Sequence, residues 1–233
     1  MTERASAVEP LSVEDWAGEM GERWLRHRER FESMIAPIGE ALLSQAAYRA
    51  DECVLDVGCG AGGTSIEIAR RVGARSTVVG LDISPALIAA AERSAQLSGM
   101  GNLSFRCGDA AAVSLPESPF DRLFSRFGLM FFDDAPAAFA HLRGFLRRRG
   151  RLDFCVWAAP RDNGWVAEMM AVFARSIDLP PRVPRAPGPF ALEEPQYVRE
   201  LLAAGGFGSP AGCAIRILQT RPAFGYEDRE NGD

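Results

Sequence analysis

The chain has 233 residues, 47% of them apolar and 24% charged, and a net charge of −5. That length suits one sizeable domain and is short for two, and the composition is that of a globular protein, neither a disordered nor a fibrous one. No stretch approaches the roughly 20 apolar residues of a membrane span, the opening MTERASAVEP lacks the charged-then-apolar order of a secretion signal, and the acidic balance weighs against nucleic acid as a partner; a cytoplasmic protein is expected.

From Val13 to Tyr48 apolar side chains recur at helical spacing (Val13, Trp16, Met20, Trp24, then Met34, Ile35, Ile38, Leu42), which predicts two helices ahead of the first strand. Cys53 to Val57 reads as that strand, Thr64 to Val72 as a helix, Thr77 to Leu81 as a second strand and Pro85 to Ser98 as a helix. Ser84 suits its N-cap and Pro85 its first position, where a missing N–H costs nothing. Leu103 to Cys107 reads as a third strand, Leu123 to Ser125 as the end of a fourth, Pro136 to Leu146 as a helix and Leu152 to Trp157 as a fifth strand. Such alternation predicts a doubly wound α/β fold, a mostly parallel sheet with helices on both faces. Arg147, Arg148, Arg149 and Arg151 fall around a turn at a predicted helix end, where cations favour the negative pole of the helix dipole.

Beyond Trp157 a helix from Trp165 to Ile177 precedes the proline-rich Leu179 to Pro189, which can be neither helix nor central strand and reads as a cap. Tyr197 to Ala204 predicts a short helix ending at Gly205 and Gly206, with Ala214 to Leu218 as a late strand. A single domain results, with N-terminal helices in 1–50, a ligand-binding core in 51–157, a cap in 158–192 and a C-terminal part in 193–233.

The strongest local signal is VLDVGCGAGG, from Val54 to Gly63, an apolar strand running into Asp56, Gly58, Gly60, Gly62 and Gly63. Glycines at a strand-to-helix turn permit positive φ and let a ligand approach the backbone. Gly58, Gly60 and Gly63 also satisfy the dinucleotide pattern G-x-G-x-x-G, with Asp82 about 20 residues on. Asp56, two residues before the first glycine, argues against it: a carboxylate there repels phosphates and suits a ligand carrying a cationic ammonium and sulfonium. Further acids stand at neighbouring strand ends, Asp82 in VVGLDISP and Asp109 in FRCGDA, in keeping with one extended nucleoside ligand.

On these motifs the chain resembles a class I S-adenosylmethionine-dependent methyltransferase of the small-molecule type, related to the ubiquinone and menaquinone C-methyltransferases, over roughly Trp24 to Phe207. The resemblance implies a Rossmann-like fold, S-adenosylmethionine as cofactor and methyl transfer to a small organic acceptor by in-line displacement. It implies that the loop from Asp56 to Gly62 holds the methionine part through Gly58 and Gly60, that Asp82 binds the ribose hydroxyls and Ile83 packs on adenine, that Asp109 and the Ala110 backbone meet the adenine end, and that Ser125-Arg126-Phe127 borders the transferable methyl group.

Other chemistries fare worse. Cys53, Cys59, Cys107, Cys155 and Cys213 form no C-x-x-C pair, so free thiols are expected and zinc is not, and Cys59 reads as a small loop residue. The Asn-Pro-Pro-Tyr of amino-group methyltransferases is absent after the fourth strand, and Ser125 stands where metal-dependent catechol-type enzymes place an acid, although Asp162 and Asn163 follow the fifth strand; no metal is expected. His27 and His141 read as surface residues, leaving the catalytic groups unknown. Where relatives read Pro-Gly-Gly, this chain has Arg148-Arg149-Gly150, and its last strands look abbreviated, which predicts an open edge on the fifth strand that either self-associates or stays marginally ordered.

Overall fold

The computed structural model describes residues 13–173, 175 and 182–208. Five strands, β1 (Val54–Val57), β2 (Val78–Asp82), β3 (Leu103–Cys107), β4 (Phe120–Arg126) and β5 (Leu146–Cys155), form one sheet in the order β3-β2-β1-β4-β5, with every pairing parallel. The chain winds outward from β1 to β3 and then returns to add β4 on the other side. The direction of winding therefore reverses between β1 and β4, and a crevice opens at the carboxyl ends of these strands, where ligands bind in such sheets.

Strand alternation sends successive side chains to opposite faces. Leu55, Val57, Val79, Leu81 and Leu123 pack with Ala138, Phe139 and Leu142 of α6 (Ala135–Gly144) and with Val198, Leu201 and Leu202 of α8 (Pro195–Ala204). On the other face Val54, Val78 and Phe124 meet Leu43 of α3 (Arg28–Ala46) and Ile68, Ala69 and Val72 of α4 (Gly63–Val72), while Phe105 packs with Ile88, Ala91 and Ala95 of α5 (Pro85–Ser98). Ser84 caps α5 as its sequence predicts, its Oγ accepting the Leu87 N–H at 3.4 Å, with Pro85 in the first turn.

Several boundaries differ from the sequence reading. Three helices precede β1, because the chain breaks at Gly18 and His27 between α1 (Val13–Ala17), α2 (Glu19–Arg26) and α3. The arginine group does not sit at a helix end: α6 stops at Gly144, and Arg147, Arg148, Arg149 and Arg151 belong to β5, which starts six residues earlier than expected, at Leu146. A register irregularity opposite Phe120 and Arg122 absorbs the change, with Arg149 at φ 68°. Gly150 permits it, since a Cβ there would lie 2.8 Å from Leu146 and 3.0 Å from the Asp121 carbonyl. Carboxylates, not a helix dipole, receive these cations: Arg147 pairs with Asp121 at 2.7 Å and Arg151 with Asp153 at 2.6 Å.

The helix after β5, α7 (Gly164–Phe173), is shorter than expected, and part of its predicted extension to Ile177 lies outside the described residues. From 182 the cap segment returns to the core, where Gly188 donates to the Met130 carbonyl at 3.0 Å and Ala191 and Leu192 are buried. The expected strand Ala214 to Leu218 lies outside the described residues. Among the described residues β5 pairs with β4 alone.

Candidate functional site

The turn from β1 into α4 has positive φ at Gly58 (70°), Gly60 (55°) and Gly62 (83°), a conformation only glycine adopts without strain. The three have different surroundings. A Cβ at Gly58 would lie 2.7 Å from the Gly128 Cα, so this glycine lets the β1 and β4 turns touch. One at Gly62 would strike the Phe105 ring at 2.9 Å and Ala91 at 3.0 Å, which makes Gly62 a packing residue against α5. Gly60 alone of these three faces open space, with nothing within 4 Å of such a Cβ.

Four amides of this loop are committed inside the protein. Gly58 and Cys59 both donate to the Leu81 carbonyl, at 2.8 and 3.1 Å, Gly62 to the Cys59 carbonyl at 3.0 Å, and Gly60 to Asp82 Oδ2 at 2.8 Å. A phosphate-binding loop needs such N–H groups free to point at the anion. Here four of them are spent, and two carboxylates stand beside them, so the loop favours a cationic ligand over a pyrophosphate.

Asp82, at the end of β2, accepts from Gly60 through Oδ2 and from the Ser84 N–H through Oδ1 at 2.9 Å. An ionised carboxylate accepts about four hydrogen bonds, which leaves capacity for ligand hydroxyls. Burial raises its carboxyl above the usual range, opposed by the backbone N–H groups of Ser84, Gly60 and Ile83. Ile83 beside it is half-buried. Asp109 follows β3 and closes a turn, its Oδ1 accepting the Ala111 N–H at 2.8 Å, with half-buried Ala110 packed against the core.

Asp56 is placed differently from the other two acids. It is fully buried on the α4 side of β1, where Oδ2 accepts from Thr64 at 2.7 Å and Ser65 at 2.6 Å and ties the first turn of α4 to the strand. Burial pushes its carboxyl up to about 6, against the pull of the two hydroxyls and of the Arg126 guanidinium. Oδ1 is shielded and has no partner. Buried acceptors are rarely left so; an orphaned carboxylate oxygen at the base of this turn fits a cofactor that brings an ammonium and a sulfonium and no phosphate. Cys59, in the same loop, is inert, since burial and then Asp82 and Asp56 push its thiol well up.

The β4 end completes the crevice. Ser125 is buried and its hydroxyl serves the backbone, donating to the Val57 carbonyl at 2.7 Å and accepting the Gly128 N–H at 3.2 Å. It thereby holds the β4 turn against β1. Phe127 is a bulky residue at φ 66°, a conformation that costs energy and concentrates at functional sites. Its ring stacks on Trp157, just past β5, at 4.5 Å and 12°, and Trp165 meets Trp157 edge-on at 5.7 Å. Arg126, nearly buried, bonds both oxygens of Glu32 on α3 at 2.8 and 2.6 Å, and Gly39 leaves room for it, since a Cβ there would lie 3.1 Å from the Arg126 Cδ.

Sequence reasoning found the acids and glycines but missed Thr64, Ser65, Gly128, Trp157 and the Glu32–Arg126 pair, because each acts through a contact between elements that forms only on folding. His27 is exposed, and His141 is half-buried with Nε2 2.9 Å from the Val113 carbonyl; Asp162 is exposed, and the Asn163 amide is spent on the carbonyls of Ala158 and Ala159. Among the described residues no group of three or more His, Cys, Asp or Glu side chains could hold a metal ion.

A family model described as a methyltransferase domain matches residues 54–150. Nocamycin O-methyltransferase of Saccharothrix syringae is 31% identical over 179 residues, which cover 76% of this chain and 61% of that protein. The aklanonic acid methyltransferase DauC of a Streptomyces strain is 33% identical over 120 residues, 52% of this chain and 54% of that one. The chain thus spans between half and two thirds of the length of these relatives. A crystal structure of a SAM-dependent methyltransferase from Aquifex aeolicus shares the fold, with a TM-score of 0.55 at 18% identity over 72% of this chain and 78% of that one. With a doubly wound sheet, a glycine turn and acids at the β1 and β2 ends, the chain carries a methyltransferase domain over residues 54–150 and shares the Rossmann-like fold of an S-adenosylmethionine-dependent methyltransferase.

Proposed function

We propose that this chain acts as a single catalytic domain that binds S-adenosylmethionine at the carboxyl ends of β1, β2 and β4 and methylates a small organic acceptor. The observation that carries this reading is the loop after β1: the amides of Gly58, Cys59, Gly60 and Gly62 are used within the protein, Gly60 has open space beside it, and the loop lies between the carboxylates of Asp56 and Asp82. When bound, the cofactor would supply a methyl group on a sulfonium, open to in-line attack by an acceptor lone pair with the neutral thioether as leaving group.

The residues have positioning and electrostatic work to do. Gly60 and Gly58 present backbone to the amino-acid part, and the unpartnered oxygen of Asp56 adds negative potential under it. Asp82 offers its remaining lone pairs to the ribose hydroxyls, with Ile83, Asp109 and Ala110 along the adenine side. Ser125 keeps the β4 turn closed on β1, and the Phe127–Trp157 stack supplies a flat apolar wall that excludes water and orients the acceptor. Positioning in a dry site supplies most of the acceleration such a displacement needs, without a covalent role for any side chain.

That wall suits an acceptor with a planar, unsaturated body, and the two relatives, named for nocamycin and aklanonic acid, act on small organic molecules. Among the described residues no helix is long and apolar enough to cross a membrane; the reading is of a cytoplasmic enzyme without a nucleic-acid partner. It keeps the β5 edge as a surface for pairing with a second copy, which sedimentation would detect.

Calorimetry with S-adenosylhomocysteine and with a nicotinamide dinucleotide tests the proposal. Binding of the first and not the second is expected, and the reverse would overturn it. Gly60→Val should abolish uptake by filling the open side of the loop with a branched side chain.

A further inference from the structure

The helices ahead of β1 cover the crevice with an indole whose polar atom has nothing to bond. Trp16 sits in α1, half-buried, and its ring meets Phe131, in the turn after β4, edge-on at 4.8 Å, and Trp24 at 6.0 Å. On its other side the Trp16 carbonyl and the Ser84 hydroxyl crowd Gly21 together: a Cβ on Gly21 would lie 2.5 Å from the first and 2.3 Å from the second. Ser84 caps α5 just past the end of β2. The Trp16 backbone thus lies by the β2 end and its ring by the β4 end, and β1 lies between those strands.

Trp16 Nε1 is fully shielded and has no hydrogen-bond partner. A buried donor without an acceptor has lost water and gained nothing, and it calls for an explanation of its own. Packing does not supply one, because a phenyl ring would serve the contacts with Phe131 and Trp24 without an orphaned N–H. The acceptor missing from the protein is the kind of atom the proposed ligand carries on its polar ends.

We infer that Trp16 is a cofactor-binding residue: its indole N–H donates to an oxygen of S-adenosylmethionine, so that α1 closes the crevice as a roof that recognises its occupant. The inference rests on the methyltransferase reading of the site. Two oxygen sources share this chemistry, the amino-acid carboxylate and the ribose hydroxyls, and 5′-methylthioadenosine, which keeps the ribose and lacks the amino-acid end, separates them.

The test is calorimetry of wild type, Trp16→Phe and, as a control, Trp24→Phe with S-adenosylhomocysteine and 5′-methylthioadenosine. Trp16→Phe keeps an aromatic ring in the roof and removes only the donor. Its affinity for S-adenosylhomocysteine should fall on the order of tenfold or more if the acceptor is the charged carboxylate and several-fold if it is a neutral ribose hydroxyl, with Trp24→Phe unchanged. A matching loss for methylthioadenosine identifies a ribose oxygen; an unchanged affinity for it identifies the carboxylate. If Trp16→Phe binds S-adenosylhomocysteine as wild type does, the inference is wrong while the site stands. A wild type that binds neither ligand overturns the methyltransferase reading and this inference with it. Should the variant not fold, the Trp16 indole N–H resonance of the labelled wild type decides: a downfield shift on adding S-adenosylhomocysteine supports the bond, and an unmoved resonance refutes it.

Discussion

Two arginines on β4, four residues apart, are buried at opposite ends of the sheet and held in different ways. Arg122, 4% exposed at the amino end of the strand, bonds Glu52 at 3.1 Å, Asp153 at 3.0 Å and the Ala46 carbonyl at 2.6 Å, and faces the Tyr48 ring at 5.4 Å. Arg126, at the carboxyl end, has one carboxylate, Glu32, borne on a helix that covers the site. The amino end of β4 is stapled from several elements at once, with only the Tyr48 hydroxyl beside Arg122 buried without a partner among the groups named there. The carboxyl ends keep orphaned atoms, a left-handed phenylalanine and a helical cover. Stability is concentrated at one end of the sheet and chemistry at the other, as open α/β sheets arrange it.

Breaking each end should show the difference. Arg122→Met, which strands two carboxylates, should cost about 3 to 5 kcal/mol of unfolding free energy yet leave the affinity for S-adenosylhomocysteine unchanged below the melting transition; an affinity loss of similar size would mean the two ends are coupled. Asp82→Ala should do the opposite, weakening binding by about 1.5 to 3 kcal/mol in calorimetry while thermal unfolding moves little.

The pH dependence sharpens the contrast. Asp56, held near 6 by burial, must be ionised to attract a cationic ligand, so affinity should fall about tenfold between pH 7 and pH 5. Stability of the free protein should move the other way. A carboxyl raised above its unfolded value of 3.8 contributes stability that is full below that value and lost as pH rises through about 6. Asp56→Asn should flatten both profiles, and Arg126→Met, by removing a cation that lowers this carboxyl, should move the binding midpoint to higher pH. Profiles unaffected by either change would remove Asp56 from the site. The smallest effect is expected of Trp157→Ala, which takes one ring from the acceptor wall: a several-fold rise in acceptor KM, about 0.5 to 1.5 kcal/mol, with cofactor affinity unmoved.

Much of this layout was legible before any coordinates. Alternating apolar runs and helical periodicity announce the βα units, the cap at Ser84 and Pro85 marks α5, and glycines bounded by Asp56 and Asp82 mark a ligand-bearing turn, because these features depend on residues near one another in the chain. The β5 boundary was not legible: an arginine run reads as a turn until a neighbouring strand offers Asp121 and Asp153 to pair with it. Nor could spacing distinguish Gly60, open to ligand, from Gly62, packed under α5, or show that Asp56 faces inward to Thr64 and Ser65. The sequence by itself determined the fold class, the strand ends that carry the site and the kind of ligand charge they tolerate, since periodicity and fixed charge are local properties. Only the tertiary structure decided which amides were spent, which carboxylate oxygen and indole N–H were left without partners, and which aromatic rings met over the crevice, since each of these depends on contacts between elements that the chain brings together only on folding.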